Sequence, residues 1–246
     1  MIKIITIITK FIIVTLIALL FSSCIYSRDF KSITGSGHVT TENRMVEADF
    51  KSIKVSNAID LEVEQSDKTE IIIEADDNLQ NEITTKVENG VLIITCKYSS
   101  FIDVTSRKVT VKMPIIEGLQ ASSASTIKSR NTLKGENIDL RSSSAADINL
   151  SLEFDAIYCK ASSGSSINID GKALKLETNS SSGSDIDAND LLVNNVIAKA
   201  SSGGSINVHP IVNLDAKASS GGDVNYNITP KSIEKSTSSG GSVEKE

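Results

Sequence analysis

The chain has 246 residues, 39% hydrophobic and 23% charged, with a formal net charge of −6 and no tryptophan. An acidic chain lacks the basic footprint that phosphates require, which excludes nucleic acid as a partner. Aromatic residues make up only 4% of the sequence, which argues against a sugar site built on aromatic stacking alone.

In chain order, Lys3 and Lys10 precede an apolar run from Phe11 to Phe21. That is the charged segment and apolar core of a signal peptide, shorter than the roughly 20 apolar residues of a membrane-spanning helix. The run ends in Leu20-Phe21-Ser22-Ser23-Cys24, with the small residues a signal peptidase accepts. A cysteine at this point resembles the lipobox of bacterial lipoproteins, in which the thiol is acylated. Phe21 departs from the smaller aliphatic residue of that pattern. The expectation is a signal peptide over 1–23, lipidation at Cys24 and a tether over 24–36, with an uncleaved anchor helix as the alternative. Both place the bulk of the chain outside the cytoplasm, at the outer membrane or the cell surface. Cleavage removes Lys3 and Lys10 and no acid, taking the charge from −6 to −8. Cys96 and Cys159 are expected to be buried and free.

A single domain is expected over 37–246, β-rich and irregular over 37–118 and repetitive over 119–246. In the first half, Ile59-Asp-Leu61-Glu-Val63 alternates as a half-buried strand does. Ile71-Ile72-Ile73 reads as a more buried strand. Asn89-Gly90 between Val87 and Val91 signals a hairpin, because that dipeptide suits a type I′ turn. This half is expected to form wider rungs or an antiparallel cap over the end of a repeat array.

In the second half, Ser-Ser followed by Gly or Ala recurs at Ser122, Ser143, Ser162, Ser181, Ser201, Ser219 and Ser238, at intervals of 21, 19, 19, 20, 18 and 19 residues. Five residues after each of these serines stands a β-branched aliphatic: Ile127, Ile148, Ile167, Ile186, Ile206, Val224 and Val243. A second strand precedes each serine pair, with small residues such as Ala161, Ala200 and Ala218 just before it. Each repeat reads as strand, corner, strand and connecting loop. One such unit cannot bury its own apolar face, but a stack of them can. The expected fold is therefore all-β, a parallel β-helix or β-solenoid with about 19–20 residues per rung; a sandwich or barrel of short strands is the competitor. The residue before each β-branched position reads Thr126, Asp147, Ser166, Asp185, Ser205, Asp223, Ser242. Aspartates on every second rung avoid the like-charge stacking that destabilises a ladder.

Gly35-Ser-Gly37, Val46-x-x-x-Phe50-x-x-Ile53-x-Val55, Ile59-Asp60-Leu61-x-Val63 and Glu74-Ala-Asp-Asp-Asn78-Leu79 resemble the opening of the putative auto-transporter adhesin head GIN domain family. Gly164-x-x-Ile167-Asn168 and Gly204-x-Ile206-Asn207 are similar to its later repeats. The resemblance implies an exported bacterial protein, often a lipoprotein, with a right-handed parallel β-helix. It brings no catalytic residues and no cofactor.

The serine pairs are expected to place one hydroxyl inward, bonded along the axis, and one at the solvent corner. Arg141, Lys160, Lys199 and Lys217 share one outward register, interrupted at Asn179, with Asp139, Glu177 and Asp215 two residues earlier. Such a row reads first as a solvated ion-pair lattice and second as a binding stripe for an anionic polysaccharide. Catalysis finds little support. Neither His38 nor His209 has a nucleophile at a catalytic spacing, Ser125-x-x-Lys128 falls on a strand, and no pair of carboxylates marks a glycosidase cleft. The expected function is that of a non-enzymatic adhesin or envelope surface module, tethered to the membrane by its lipid and contacting a glycan or surface protein. An envelope protein that self-associates through a solenoid edge is the alternative, and a glycan-active enzyme comes third.

Overall fold

The structure is a computed structural model that describes residues 31–246 apart from Glu47, together with Lys10, Phe11 and Thr15. The rest of the expected signal peptide, Cys24 and tether residues 24–30 lie outside the described residues. Two units are distinguished, Met1–Lys31 and Ser32–Glu246. In the first, the Thr15 hydroxyl donates to the Phe11 carbonyl one helical turn back, at 2.8 Å. No helix among the described residues is long and apolar enough to cross a membrane.

The second unit begins with β1 (Ser32–Thr34), β2 (Val39–Arg44), β3 (Ser52–Val55), β4 (Asp60–Gln65), β5 (Glu70–Asp76), β6 (Ile83–Glu88), β7 (Val91–Cys96), β8 (Ser100–Ile102) and β9 (Arg107–Met113). Strands β3 and β4 make the first rung. The chain then turns back: β7 pairs parallel with β3, and β9 parallel with β4, on the side away from the solenoid. Strands β5, β2 and β6 extend this layer antiparallel, giving a mixed sheet that caps the stack. Both expected forms of the N-terminal half are therefore present, a rung and a cap. The hairpin between β6 and β7 turns at Asn89 and Gly90, both with positive φ, as a type I′ turn requires. Residues 32–36, read as part of the tether, belong to the folded unit: β1 pairs parallel with β8, and Ile33 packs against the core.

Above the first rung come β10 (Gly118–Ser122), β11 (Thr126–Ser129), β12 (Leu133–Ser143), β13 (Asp147–Ser162), β14 (Ser166–Ser181), β15 (Asp185–Ser201), β16 (Ser205–Ser219), β17 (Asp223–Tyr226), β18 (Ser232–Ser238) and β19 (Ser242–Lys245). Every pairing among them is parallel and one repeat apart. The fold is the expected β-solenoid. Ile127, Ile148, Ile167, Ile186, Ile206, Val224 and Val243 stand in one register, and all but the last are fully buried. Each contributes about 1.5–3 kcal/mol relative to an exposed position. Ala161, Ala200 and Ala218 are buried as expected. Cys96 and Cys159 are buried and free. The connecting loop expected in each repeat is absent from β13 to β16: these run 15–17 residues because the ladder continues round the second bend.

Each Ser-Ser corner carries two successive residues in the left-handed region. The pairs run Ser123–Ala124, Ser144–Ala145, Ser163–Gly164, Ser182–Gly183, Ser202–Gly203, Ser220–Gly221 and Ser239–Gly240, above Asn57–Ala58 in the first rung, with φ from 50° to 77°. Left-handed geometry costs an L-residue roughly 1–2 kcal/mol. Here it aims a corner N–H along the axis: Gly183 donates to the Ser202 carbonyl at 3.2 Å and Gly164 to Ser182 at 3.2 Å, and the pattern repeats from Ala58 to Gly221. The ladder thus continues through the corner. Gly164 has open space where a Cβ would stand, whereas one on Gly204 would meet the Ser180 carbonyl carbon at 2.6 Å. Gly164→Ala is expected to cost about 1 kcal/mol through backbone strain alone. Gly204→Ala is expected to cost more, about 2–3 kcal/mol, through overpacking; urea denaturation midpoints of the two variants check the order.

Candidate binding surface

The solenoid places Arg141, Lys160, Asn179, Lys199 and Lys217 in one axial row, as the spacing predicts. Neighbours along it are separated by one rung, about 4.8 Å. Gln120 and Lys54 continue the row toward the cap. Two residues earlier on the same face runs a second row: Asp139, Tyr158, Glu177, Ile197 and Asp215. The two rows are bonded to each other. Arg141 grips Asp139 with Nε at 2.6 Å and a second nitrogen at 3.0 Å. Lys217 reaches Asp215 at 3.3 Å, while Lys199 crosses a rung to Glu177 at 4.0 Å. These side chains are partly exposed, so each pair contributes little stability. Among the described residues, Lys160 alone of the four cations has no acid within ion-pair distance, because Tyr158 occupies the place an acid holds on the rungs either side.

The serine pairs do not divide as expected. The first serine of each pair is half-buried, except for exposed Ser238, and the second is fully exposed. The left-handed pair rotates the inward positions to either side of the two serines. The buried hydroxyls are therefore Ser125, Ser142, Ser165, Ser180 and Ser184. They satisfy their own corner's backbone: Ser142 donates to Ala146 at 2.8 Å and Ser184 to Ser181 at 2.8 Å. Ser125 also reaches the Val55 carbonyl on the adjacent rung at 3.2 Å; further axial bonds lie on the outward rows. Ser166 donates to Asp147 at 2.5 Å and Ser242 to Asp223 at 2.6 Å. The alternation of Asp with Ser thus places a hydroxyl donor beside these carboxylates as well as separating the charges. Desolvation raises the Asp185 pKa, with Ser205 opposing and Asp187 adding to the rise. On the same outward sheet Asn168 donates to Asn149 at 2.9 Å and Asn225 to Asn207 at 3.0 Å.

The catalytic candidates stay apart. Ser125 is buried, with its hydroxyl bonded to the Ser122 and Val55 carbonyls, and Lys128 points out to solvent on the strand beyond. Among the described residues no group of three or more His, Cys, Asp or Glu is placed to hold a metal. The larger concavities are open grooves. One of about 560 Å³ is bordered by Phe154, Leu174, Leu192 and Ile211; another of about 610 Å³ is bordered by Ile115, Asp139 and Tyr158.

This arrangement of cap and solenoid has known counterparts. A protein-family profile described as "Putative auto-transporter adhesin, head GIN domain" matches residues 49–230. The chain belongs to this family. No curated protein matches the chain. Among solved structures, a putative adhesin from Bacteroides fragilis superposes with a TM-score of 0.80 at 20% identity, over 87% of this chain and 100% of that one. A putative adhesin from Parabacteroides distasonis gives 0.71 at 25% identity, over 88% and 100% of the two chains. A protein from the same species described as a putative lipid binding protein gives 0.69 at 22%, over 88% and 100%.

The GIN domain geometry explains a motif whose purpose the sequence did not reveal. Glu74 to Leu79 ends β5 and opens a short 3-10 turn, Asp77–Leu79. The buried Asp76 carboxylate accepts the Gly37, Thr105 and Ser106 amides, each at 2.9 Å. Asn78 accepts the Ser36 amide at 3.2 Å and donates to the Thr34 carbonyl at 2.8 Å. An added Cβ on Gly35 would meet an Asp76 oxygen at 2.5 Å. The motif therefore staples the first strand and the β8–β9 loop onto the cap. Acid-amide-rich turns are common in sequences, and only the long-range partners distinguish this one. Burial acts to raise the Asp76 pKa, but the backbone N–H groups outweigh it and hold the carboxyl below its ordinary 3.8. A lowered folded pKa stabilises above the unfolded value and is lost as pH falls through the folded one. Asp76→Asn is expected to cost about 2–3 kcal/mol at neutral pH. It should also flatten the loss of stability below about pH 4, as read from thermal melts across pH 2–7.

Proposed function

We propose that the chain is an exported, lipid-anchored adhesin that acts by contact and carries out no reaction. Membership of the adhesin-head family supports it, and the Leu20–Cys24 sequence supports acylation of Cys24 after removal of residues 1–23. The observation that carries the reading is the axial row itself. Arg141, Lys160, Lys199 and Lys217 present similar chemistry at rung spacing along one outward face. A repeating surface of this kind is complementary to an extended polymer such as an anionic glycan, with the lipid holding the domain at the membrane. The self-associating alternative is disfavoured at the C-terminal end. There Lys235 takes the inward register of Ala216 and lies over the Tyr226 ring at 4.7 Å. It donates to the Val243 carbonyl at 3.1 Å. An inward charge on a terminal strand blocks edge-to-edge addition.

Three measurements test the proposal. Cys24→Ser is expected to abolish incorporation of a labelled fatty acid and release the protein from the membrane fraction. Protease added to intact cells is expected to remove the domain before lysis; survival until lysis overturns the surface-adhesin reading. A Lys160/Lys199/Lys217→Glu triple variant is expected to lose glycan binding at least tenfold, about 1.4 kcal/mol, while keeping the wild-type circular dichroism spectrum.

A further inference from the structure

The inner row alternates acidic with neutral residues, Asp139, Tyr158, Glu177, Ile197 and Asp215, and one of the neutral ones is aromatic. On β12 and β16 each outward cation has an acid two residues before it, Asp139 for Arg141 and Asp215 for Lys217. On β13 and β15 Tyr158 and Ile197 stand in its place; Lys199 reaches across a rung to Glu177, whereas Lys160 is left unpaired among the described residues. Tyr158 is 37% exposed and is the one aromatic in the two rows. The ring is held in place: Lys175, from the next rung, lies 5.3 Å from its centroid. The 610 Å³ groove lies on the opposite side, toward Asp139 and Asn137. A smaller depression of about 200 Å³ adjoins it, bordered by Asp139, Arg141, Tyr158, Lys160, Glu177 and Asn179. An aromatic wall thus meets an unpaired ammonium, an amide and two carboxylates in one place.

We propose that Tyr158, Lys160 and Asn179 form a subsite for one uronic-acid residue of an acidic glycan. This deepens the adhesin reading and rests on it. The apolar face of a pyranose ring packs on the exposed side of Tyr158. The sugar carboxylate pairs with Lys160, whose charge no protein acid neutralises. Asn179 both donates and accepts and serves the ring hydroxyls. The cation left without an acid sets the specificity. Arg141, Lys175 and Lys199 are each paired with Asp139 or Glu177. Lys160 offers its charge to one carboxylate per sugar. A densely sulfated polymer meets the two fixed carboxylates and is disfavoured by like-charge repulsion.

Isothermal titration with tri-galacturonic acid, its methyl ester and dextran sulfate tests the subsite on the full folded domain. The wild type is expected to bind the acid about tenfold more tightly than the ester, and dextran sulfate more weakly than the acid. Tyr158→Ala should lose about tenfold for both trisaccharides, and Tyr158→Phe should retain binding. Lys160→Gln should erase the preference for acid over ester, and Lys160→Arg should restore it. Lys86→Gln, exposed on the cap strand β6 and outside both rows, should change affinity by less than about twofold. Circular dichroism of each variant separates loss of the site from loss of the fold. Wild-type affinity in Tyr158→Ala, or equal affinity for acid and ester, overturns the subsite, as does the absence of binding to any of the three probes. None of those results touches the adhesin reading, which falls only if the domain is shielded from protease on intact cells.

Discussion

The corner ladder is the constraint on which the rest of the molecule depends. A chain that turns sharply every 19 residues has to break its inter-strand hydrogen bonds at the turn or carry them through it. Two successive left-handed residues carry them through, because they aim a corner amide at the carbonyl of the next rung, from Ala58 to Gly221. That geometry fixes the side-chain register on both sides of the corner. Ile127 and its equivalents point in, and Arg141, Lys160, Lys199 and Lys217 point out in line. Core and surface rows are consequences of the same turn.

The register was legible in the sequence because a stack repeats its environment. Every rung asks the same of its β-branched position, so Ile148, Ile167 and Ile186 recur at the same offset from their serines. The cation stripe was legible for the same reason. What escaped was whatever depends on a conformation that side-chain pattern does not encode. The serines were read as alternating across a strand, but the left-handed pair ends the alternation and turns both outward. In place of the expected connecting loop the backbone stays extended and absorbs the irregularity as register shifts, such as that between Asn168 and Gly171. The staple at Asp76 joins residues 29–39 positions away, and local sequence carries no mark of such partners.

The two ends of the stack solve one problem in different ways. An open rung exposes both an apolar core and a row of unpaired backbone groups. At the N-terminal end the chain invests residues 70–113 in a cap, inserted between the first and second rungs, with Leu92, Ile94, Val109 and Val111 completing the core. At the C-terminal end it changes side chains instead. Lys235 and Thr237 take the register of Ala216 and Ala218, and the ammonium covers Tyr226 while satisfying a terminal carbonyl. A cap that also staples down the first strand resists the pull of anything attached at Ser32. A charged end only has to stay soluble.

In a repeat protein the residues that follow the repeat are explained by shape. Those that leave it fall into two groups. Some are forced by position along the stack, as Lys235 is by being last, and Gly204, Gly222 and Gly241 are by backbone crowding at their corners. Tyr158 belongs to neither group. Its rung is interior, and its neighbours above and below are Glu177 and Asp139 in register, so like-charge repulsion asks for a neutral residue there, as Ile197 supplies two rungs on. A tyrosine meets that need but also presents an exposed aromatic face, which adds nothing to the core. A departure that the stack does not require is most simply understood as one that a ligand does.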